Sequence, residues 1–486
     1  MRFIALLVLS LALLPAARAV AATPVQVIDP ILLSSETPDT LRARLAALAT
    51  SSHAPDVAAE AWRLCGMSYE RWAMPDSAIA CYRRALEVEH SMASVNALAD
   101  ALVRRRTKDD AAEAVQLLEH QQPVEQEPDI PTARGDVARL GWAYVVSGQA
   151  AHGLDVLTPV APRLANDPVW CYRLARTYLA SNHFDLALPL VMGLNTAARG
   201  QDHEIAALLK HLDKLQGESS RIPDQTQQAL RDHDDAEIAA LARIRGRRVR
   251  LLASDGAMIG GVLFADSAAK RVTRAAIVLG EVGGELHDYD SLSVALRSNG
   301  FAMFLLDPRG CGWSVAPEFS LPDTWEGRQG PLSARVARDV SDALDAFAHV
   351  ARIDTTRVLL IGVGSMSPVA IAAAARDRRI GSLALLDPRT SPVERGAVLA
   401  TARRAPVPAF IQLTVGARGE GAFVDTLSRT FPQGVSRLVE AVAFVPGAAA
   451  FGSRPGVTQR FVHWVGDTFS ARPVRRATPR ATPPAR

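Results

Sequence analysis

Residues 358–371 read VLLIGVGSMSPVAI. An apolar run closes on Gly362-Val363-Gly364, turns through Ser365-Met366-Ser367 and continues into small, helix-compatible residues. A strand–turn–helix of the form G-x-S-x-G aims a serine hydroxyl out of a strained turn. A histidine can then take its proton, and the alkoxide can attack an ester or amide carbonyl. Counted from Gly362, the nucleophile position falls on Gly364, which has no side chain. Ser365 stands one place later, where a backbone N–H helps to hold an oxyanion. A one-residue slip that promoted Ser365 would leave V-G-S-M-S, without the flanking glycines.

More of this chemistry's scaffold lies upstream. RVRLLASDGAMIGGVLF, from 248, is two apolar runs joined at Ser254-Asp255-Gly256, a hairpin signal. A buried strand over 275–280, a glycine-rich turn, a helix over about 289–298 and a strand over 302–306 follow. Then comes Asp307-Pro308-Arg309-Gly310-Cys311-Gly312-Trp313-Ser314. An amphipathic helix over 333–349 leads to the opening motif, and strand-like runs recur at 383–386, 407–415 and about 440–445. This order, with D-x-R-G-x-G-x-S at 307–314, resembles the α/β-hydrolases across residues 246–470. The resemblance implies a doubly wound, mostly parallel sheet. It also implies that Asp307 and Arg309 hold their loop by hydrogen bonds. Gly280, Gly283, Gly284, His287, Ser365 and Met366 would then line a pocket or oxyanion loop.

The family's triad runs serine, acid, histidine along the chain. The acid should follow PAFIQLTVG, but Gly416-Ala417-Arg418-Gly419 puts Gly419 at its place, with Glu420 adjacent. The histidine should follow the run ending in Val445-Pro446-Gly447, where Ala450, or Ala449, stands. After residue 408 the only histidine is His463, beside Trp464 in an expected helix. His287 and His349 read as structural residues. Three substitutions at separate, correctly spaced positions imply a hydrolase-like domain without a triad, so no catalytic residue is expected.

Other chemistries find less support. Gly280-x-x-Gly283-Gly284 lacks both the P-loop lysine and dinucleotide spacing, and no His, Cys, Asp and Glu pattern has metal spacing. No cofactor or metal is therefore expected. Asp387-Pro388 reads as a strand-end turn, and Asp232-His233-Asp234-Asp235 as a solvated helix face or N-cap.

The elements that must carry these residues fall into regimes. The chain has 486 residues, 48% hydrophobic and 22% charged, with a net charge of +3, which suits two or three domains. Its basic residues are nearly all arginine, and five crowd into the final sixteen, ARPVRRATPRATPPAR. The remainder is close to neutral, so no nucleic-acid footprint is indicated. Residues 1–22 read as a signal peptide cleaved near Ala19–Ala22, predicting an exported, periplasmic protein with no membrane span. Residues 471–486 read as a disordered Arg/Pro tail.

Residues 35–222 are rich in Ala and Leu and repeat themselves, and 223–245 form a helical linker. Trp62, Cys65, Gly66 and Tyr69, then Ala78, Tyr82 and Ala85, follow W-x2-L-G-x2-Y with a later A-x3-F. The pattern returns weakly with Ala99, Val103, Ala114 and Leu118. It recurs with Leu140, Gly141, Tyr144, Gly153 and Leu157, and again with Leu174, Ala175, Tyr178, Ala187 and Val191. Tyr69, Val103, Tyr144 and Tyr178 are 34, 41 and 34 residues apart, the long step taking in the polar segment 121–129. These units resemble a tetratricopeptide array, which implies an α-solenoid that takes a protein or peptide partner. Cys65 and Cys81 lie where packed helices would bring them close, and small buried thiols explain them without a disulfide.

The sequence therefore predicts an exported scaffold: a tetratricopeptide-like array followed by a catalytically degenerate α/β-hydrolase-like domain that binds a partner or a small molecule. The alternative is a working serine hydrolase of esterase or peptidase type with Ser365 as a displaced nucleophile. A third reading, a purely structural cap, predicts no pocket above residue 364.

Overall fold

The computed structural model describes residues 23–120, 131–165, 167–265, 273–281, 286–314, 329–348, 353–414, 420–440, 447–453 and 455–470. The expected signal peptide, the 121–129 segment and the Arg/Pro tail lie outside these residues, as do Gly283, Gly284, His349 and Gly419.

The N-terminal half is helical. It comprises α1 (Pro24–Ser34), α2 (Pro38–Ser51), α3 (Pro55–Arg71), α4 (Pro75–Val88), α5 (Met92–Arg104), α6 (Lys108–Glu119) and α7 (Pro131–Ser147). These are followed by α8 (Ala150–Leu157), α9 (Ala161–Leu164), α10 (Pro168–Ala180), α11 (Phe184–Ala197), α12 (His203–Gln216) and α13 (Ile222–Arg243). Helices α1 to α4, α7 and α10 each start on proline, whose fixed φ suits a first turn that needs no N–H partner. Neighbours in sequence pack in pairs, α3 on α4, α5 on α6, α7 on α8 and α10 on α11. Gly66 shows why a small residue recurs there: a Cβ would stand 2.5 Å from the Tyr82 ring. Helix α1 lies upstream of residue 35, where the repeat region was expected to begin. Its start was marked in the sequence, for the Thr23 N–H donates to Gln26 Oε1 at 3.0 Å, half of a capping box.

The C-terminal half is one eight-stranded sheet. Its strands are β1 (Gly246–Leu252), β2 (Met258–Phe264), β3 (Thr273–Leu279), β4 (Phe301–Leu306), β5 (Ile353–Val363), β6 (Ile380–Leu386), β7 (Ala409–Thr414) and β8 (Val435–Glu440). They lie in the order β1-β2-β4-β3-β5-β6-β7-β8. Only β2 runs against the others. The last strand begins after the Gly434 turn, earlier than the expected 440–445; the apolar run AVAFV drew the reading past it. Alternate residues feed two cores, as the two-residue strand period requires. Val358, Leu360, Leu383 and Leu385 face α15 (Gln329–Ala348), α16 (Ser367–Arg376), α17 (Arg395–Arg404) and α18 (Glu420–Thr430). Leu359, Ile361, Ala384 and Leu386 face α14 (Asp290–Ser298), the short α19 (Ala450–Ser453) and α20 (Pro455–Ser470). Among the described residues no helix is long and apolar enough to cross a membrane.

The 307–314 loop is braced from both sides. Arg309, 3% exposed, forks onto Asp339 in α15 (2.8 and 2.5 Å) and onto Asp255 of the β1–β2 hairpin (2.8 and 3.0 Å). Ser314 Oγ donates to the Asp307 carbonyl at 2.7 Å and accepts from the Gly260 N–H at 3.0 Å. The Asp307 carboxylate accepts the Trp313 N–H at 2.7 Å. Trp313 in turn ties the two halves of the chain together. Arg199, just past α11, and Arg248 on β1 lie 3.6 and 4.0 Å from its ring centroid. Its Nε1 donates to Glu237 of α13 at 2.8 Å, and both arginines also donate to Glu237, at 2.6 and 2.8 Å.

A second junction forms at the other end of the helical region. Val393, in the connection after β6, joins the cluster of Ile28, Leu32, Leu41, Leu45 and Trp62. A side chain on Gly396 of α17 would run into the Ser35 carbonyl and stand 2.6 Å from that of Leu32, so α1 rests directly on α17. Arg71 pairs with Glu394 at 2.6 Å, and the Trp72 ring covers Gly330 of α15, where a Cβ would meet it at 2.7 Å.

Burial raises the Asp307 carboxyl to about 7, offset in part by the Trp313 N–H. In the unfolded chain it ionises near the usual ~3.9. Between these values the folded chain holds the extra proton, so this group makes stability fall as pH rises through that window. Asp307→Asn is neutral throughout, and urea melts at about pH 5 and about pH 7 should show it losing less stability across the interval than the parent. An unchanged slope would contradict the assignment.

Candidate active site

Strand β5 delivers Gly362, Val363 and Gly364 to the C-terminal edge of the sheet, where ligands bind in open α/β folds. Gly362 is needed for close approach, since a Cβ there would stand 2.7 Å from Ala370 Cβ on α16. The left-handed residue of the turn is Gly364, at φ +53°, whereas Ser365 lies outside that region. The residue whose side chain this turn would project is therefore 364. A Cβ there would collide with the Glu281 carboxylate, standing 2.8 Å from Oε2. Glu281 thus fills the space a nucleophile would use, and it is ion-paired to Arg389. Arg389 also donates its backbone N–H to the Gly364 carbonyl at 3.1 Å, which fixes the β6 connection against the turn.

Oxyanion binding needs the N–H after the nucleophile and a second N–H from the loop after β3. In that loop the Glu281 N–H already donates to the Tyr289 hydroxyl at 2.8 Å. Tyr289 is buried, which pushes its hydroxyl above the usual range, and it stands 3.2 Å from where a Gly280 Cβ would lie. Of the other residues expected to line this loop, His287 lies in the turn Leu286–Tyr289, while Ser365 and Met366 follow Gly364 in the turn into α16.

The remaining triad positions can be placed in part. Ala450 starts α19 and is buried, after a turn (Gly447–Ala449) that packs on Leu286–Tyr289. Glu420 starts α18. His463 on α20 is 82% exposed and lies 3.3 Å from Asp467, one helical turn on. Asp387, also left-handed at φ +47°, turns its carboxylate onto Thr414, accepting from the Thr414 N–H and, at 2.7 Å, from its hydroxyl. It closes the end of β6 against β7, as a strand-end turn would. Ser365 is exposed, and its hydroxyl has no hydrogen-bond partner among the described residues. No group of three His, Cys, Asp or Glu among the described residues is placed to hold a metal. Cys65 and Cys81 are buried free thiols, and the hydrogen bond between them, with burial, pushes Cys65 above the usual thiol range.

Above the turn lies a cavity of about 710 Å³, where the third reading, a purely structural cap, predicts none. Its floor is Ser365, Met366 and Val369; one wall is α17 with Thr390 and Val393; its roof is Ser68, Arg71 and Trp72 from the end of α3. Among the described residues no histidine lines it. The roof and the Glu281–Arg389 pair carry no motif in the sequence. The second left-handed residue at the β6 end, Asp387, was the nearest signal.

No protein-family profile and no curated protein sequence matches the chain. Solved structures similar to it include DcsB in complex with a substrate analogue, at 14% identity and TM-score 0.38, covering 46% of this chain and 100% of that one. The α/β hydrolase GrgF from Penicillium sp. sh18 matches at 14% identity and TM-score 0.37, over 46% of this chain and 99% of that one. A 2,6-dihydroxy-pseudo-oxynicotine hydrolase matches at 14% identity and TM-score 0.38, over 63% and 86%. The mostly parallel eight-stranded sheet described above itself fits an α/β-hydrolase domain.

Gly364→Ala should cost about 1–3 kcal/mol in urea unfolding, from left-handed backbone strain and the clash with Glu281. Adding Glu281→Ala should recover the steric part and leave about 1 kcal/mol. Strictly additive losses would show that the carboxylate does not occupy the place of the side chain.

Proposed function

We propose that this chain is a binding protein that keeps a hydrolase-like pocket without the hydrolytic chemistry. The observation that supports this best is the carboxylate of Glu281, paired to Arg389, in the volume above a left-handed Gly364. Covalent catalysis needs a nucleophile, a base that touches it and a group that orients the base. Here the nucleophile position has no side chain, Asp387 is engaged by Thr414, and among the described residues no histidine lines the cavity. The apolar cavity is then the functional residue of the fold: it holds a small molecule between α16, α17 and the end of α3. Cavities of several hundred Å³ with an apolar lining and a few placed charges suit ligands of that size.

The helical region has two roles in this reading. As a tetratricopeptide-like array it takes a protein or peptide partner, and its N-terminal helices roof the cavity, so ligand and partner meet across one molecule. The chain acts outside the cytoplasm, after loss of residues 1–22. The competing reading, a serine hydrolase using Ser365, calls for a histidine base, and among the described residues none lines the cavity.

Incubation of the purified full chain with a fluorophosphonate probe separates the two. The proposal predicts no covalent labelling above a heat-denatured control. Labelling that Ser365→Ala abolishes would establish the hydrolase instead.

A further inference from the structure

We infer that the cavity over Gly364 takes a monocarboxylate with an apolar body, whose carboxylate displaces that of Glu281 from Arg389. This rests on the reading of the cavity as a non-catalytic binding site.

The chain already places one carboxylate at this point. Glu281 and Arg389 both line the cavity, and their pair stands at its floor, beside Ser365. Arg389 is held by its backbone to the Gly364 carbonyl, yet its side chain is 54% exposed, so its guanidinium presents donors to an incoming group. Glu281 is the partner that can leave, for an ion pair this open contributes no more than about 1 kcal/mol. A ligand carboxylate makes the same charge-assisted contact, and its apolar body is buried in the same event.

The helix dipole at this floor favours an anion over an amine. Helix α16, ten residues long, points its N-terminus at the same floor and has no acidic residue in its first turn. The other cavity acid, Glu394, is pinned by Arg71 at 2.6 Å. Thr390 also lines the cavity wall, and its hydroxyl, shut off from solvent, has no hydrogen-bond partner among the described residues. Beyond the charged floor, the lining includes Met366, Val369, Ala372, Val398 and the Trp72 ring, with the hydroxyls of Ser333 and Thr401 and the Arg71–Glu394 pair among them. The apolar part of that surface matches an alkyl or aryl body.

Calorimetric titration of the full chain with decanoate and with 1-decanol tests this. Decanoate should bind at least about tenfold more tightly than decanol, the difference one charge-assisted contact makes. Arg389→Gln should erase that preference while leaving decanol binding as it was. Glu281→Gln, which removes the internal competitor, should tighten decanoate binding severalfold, and it decides the matter if Arg389→Gln does not fold by circular dichroism. Decanol binding as tightly as decanoate would overturn the carboxylate assignment and leave a binding cavity. Absence of binding by both would overturn the cavity reading itself. Unchanged or weaker decanoate binding in Glu281→Gln would overturn the displacement.

Discussion

The left-handed backbone at residue 364 is the constraint around which the C-terminal domain is arranged. A chain that leaves a parallel strand and turns at once into a helix must place one residue at positive φ, and glycine does so with little strain. Once that residue is fixed, β5 ends at the sheet edge, α16 starts with its N-terminus on the cavity, and the Gly364 carbonyl faces outward to take the Arg389 N–H. In a hydrolase the cost of such a turn is tolerated because it aims a nucleophile. Here the same turn leaves a hole the size of a side chain, and a carboxylate from the neighbouring loop fills it.

The cavity depends on a second, separate set of contacts. Its roof is not part of the sheet domain but the end of α3, held there by α1 on α17, by Val393 in the helical core and by the Arg71–Glu394 pair. At the opposite end, Trp313 is clamped between Arg199, just past α11, and Arg248 on β1, both of which donate to Glu237. The loop bearing Trp313 is anchored in turn by the buried Arg309–Asp339 pair, where loss of one partner costs about 3–5 kcal/mol. The helical region is thus fastened to the sheet at both of its ends, and the cavity lies beside one of them.

Much of the sheet domain was legible because its signals are local. Glycines at 362 and 364, the 307–314 loop and alternating apolar runs each report a backbone requirement that one stretch of chain must meet. Strand-to-helix order followed, apart from β8, where AVAFV outweighed the weaker Val435–Glu440 alternation. The repeat pattern likewise named residues that are buried between paired helices, among them Gly66, Tyr82, Ala99 and Val191. The ion pair was not legible. Glu281 and Arg389 are far apart in sequence, neither sits in a motif, and only the fold brings them to one point. The cavity roof was hidden for the same reason, since a face that packs across domains has the periodicity of any amphipathic helix. Helix α1 was missed because Pro30 lies inside it and its start adjoins the apolar N-terminal run.

We propose a pocket that binds without reacting. Its most direct test is to titrate the full chain with p-nitrophenyl decanoate, following heat of binding and nitrophenolate release in the same sample. Saturable binding, with release no faster than in buffer, is the predicted result. Release above the buffer rate that disappears in Ser365→Ala would contradict the account at its centre.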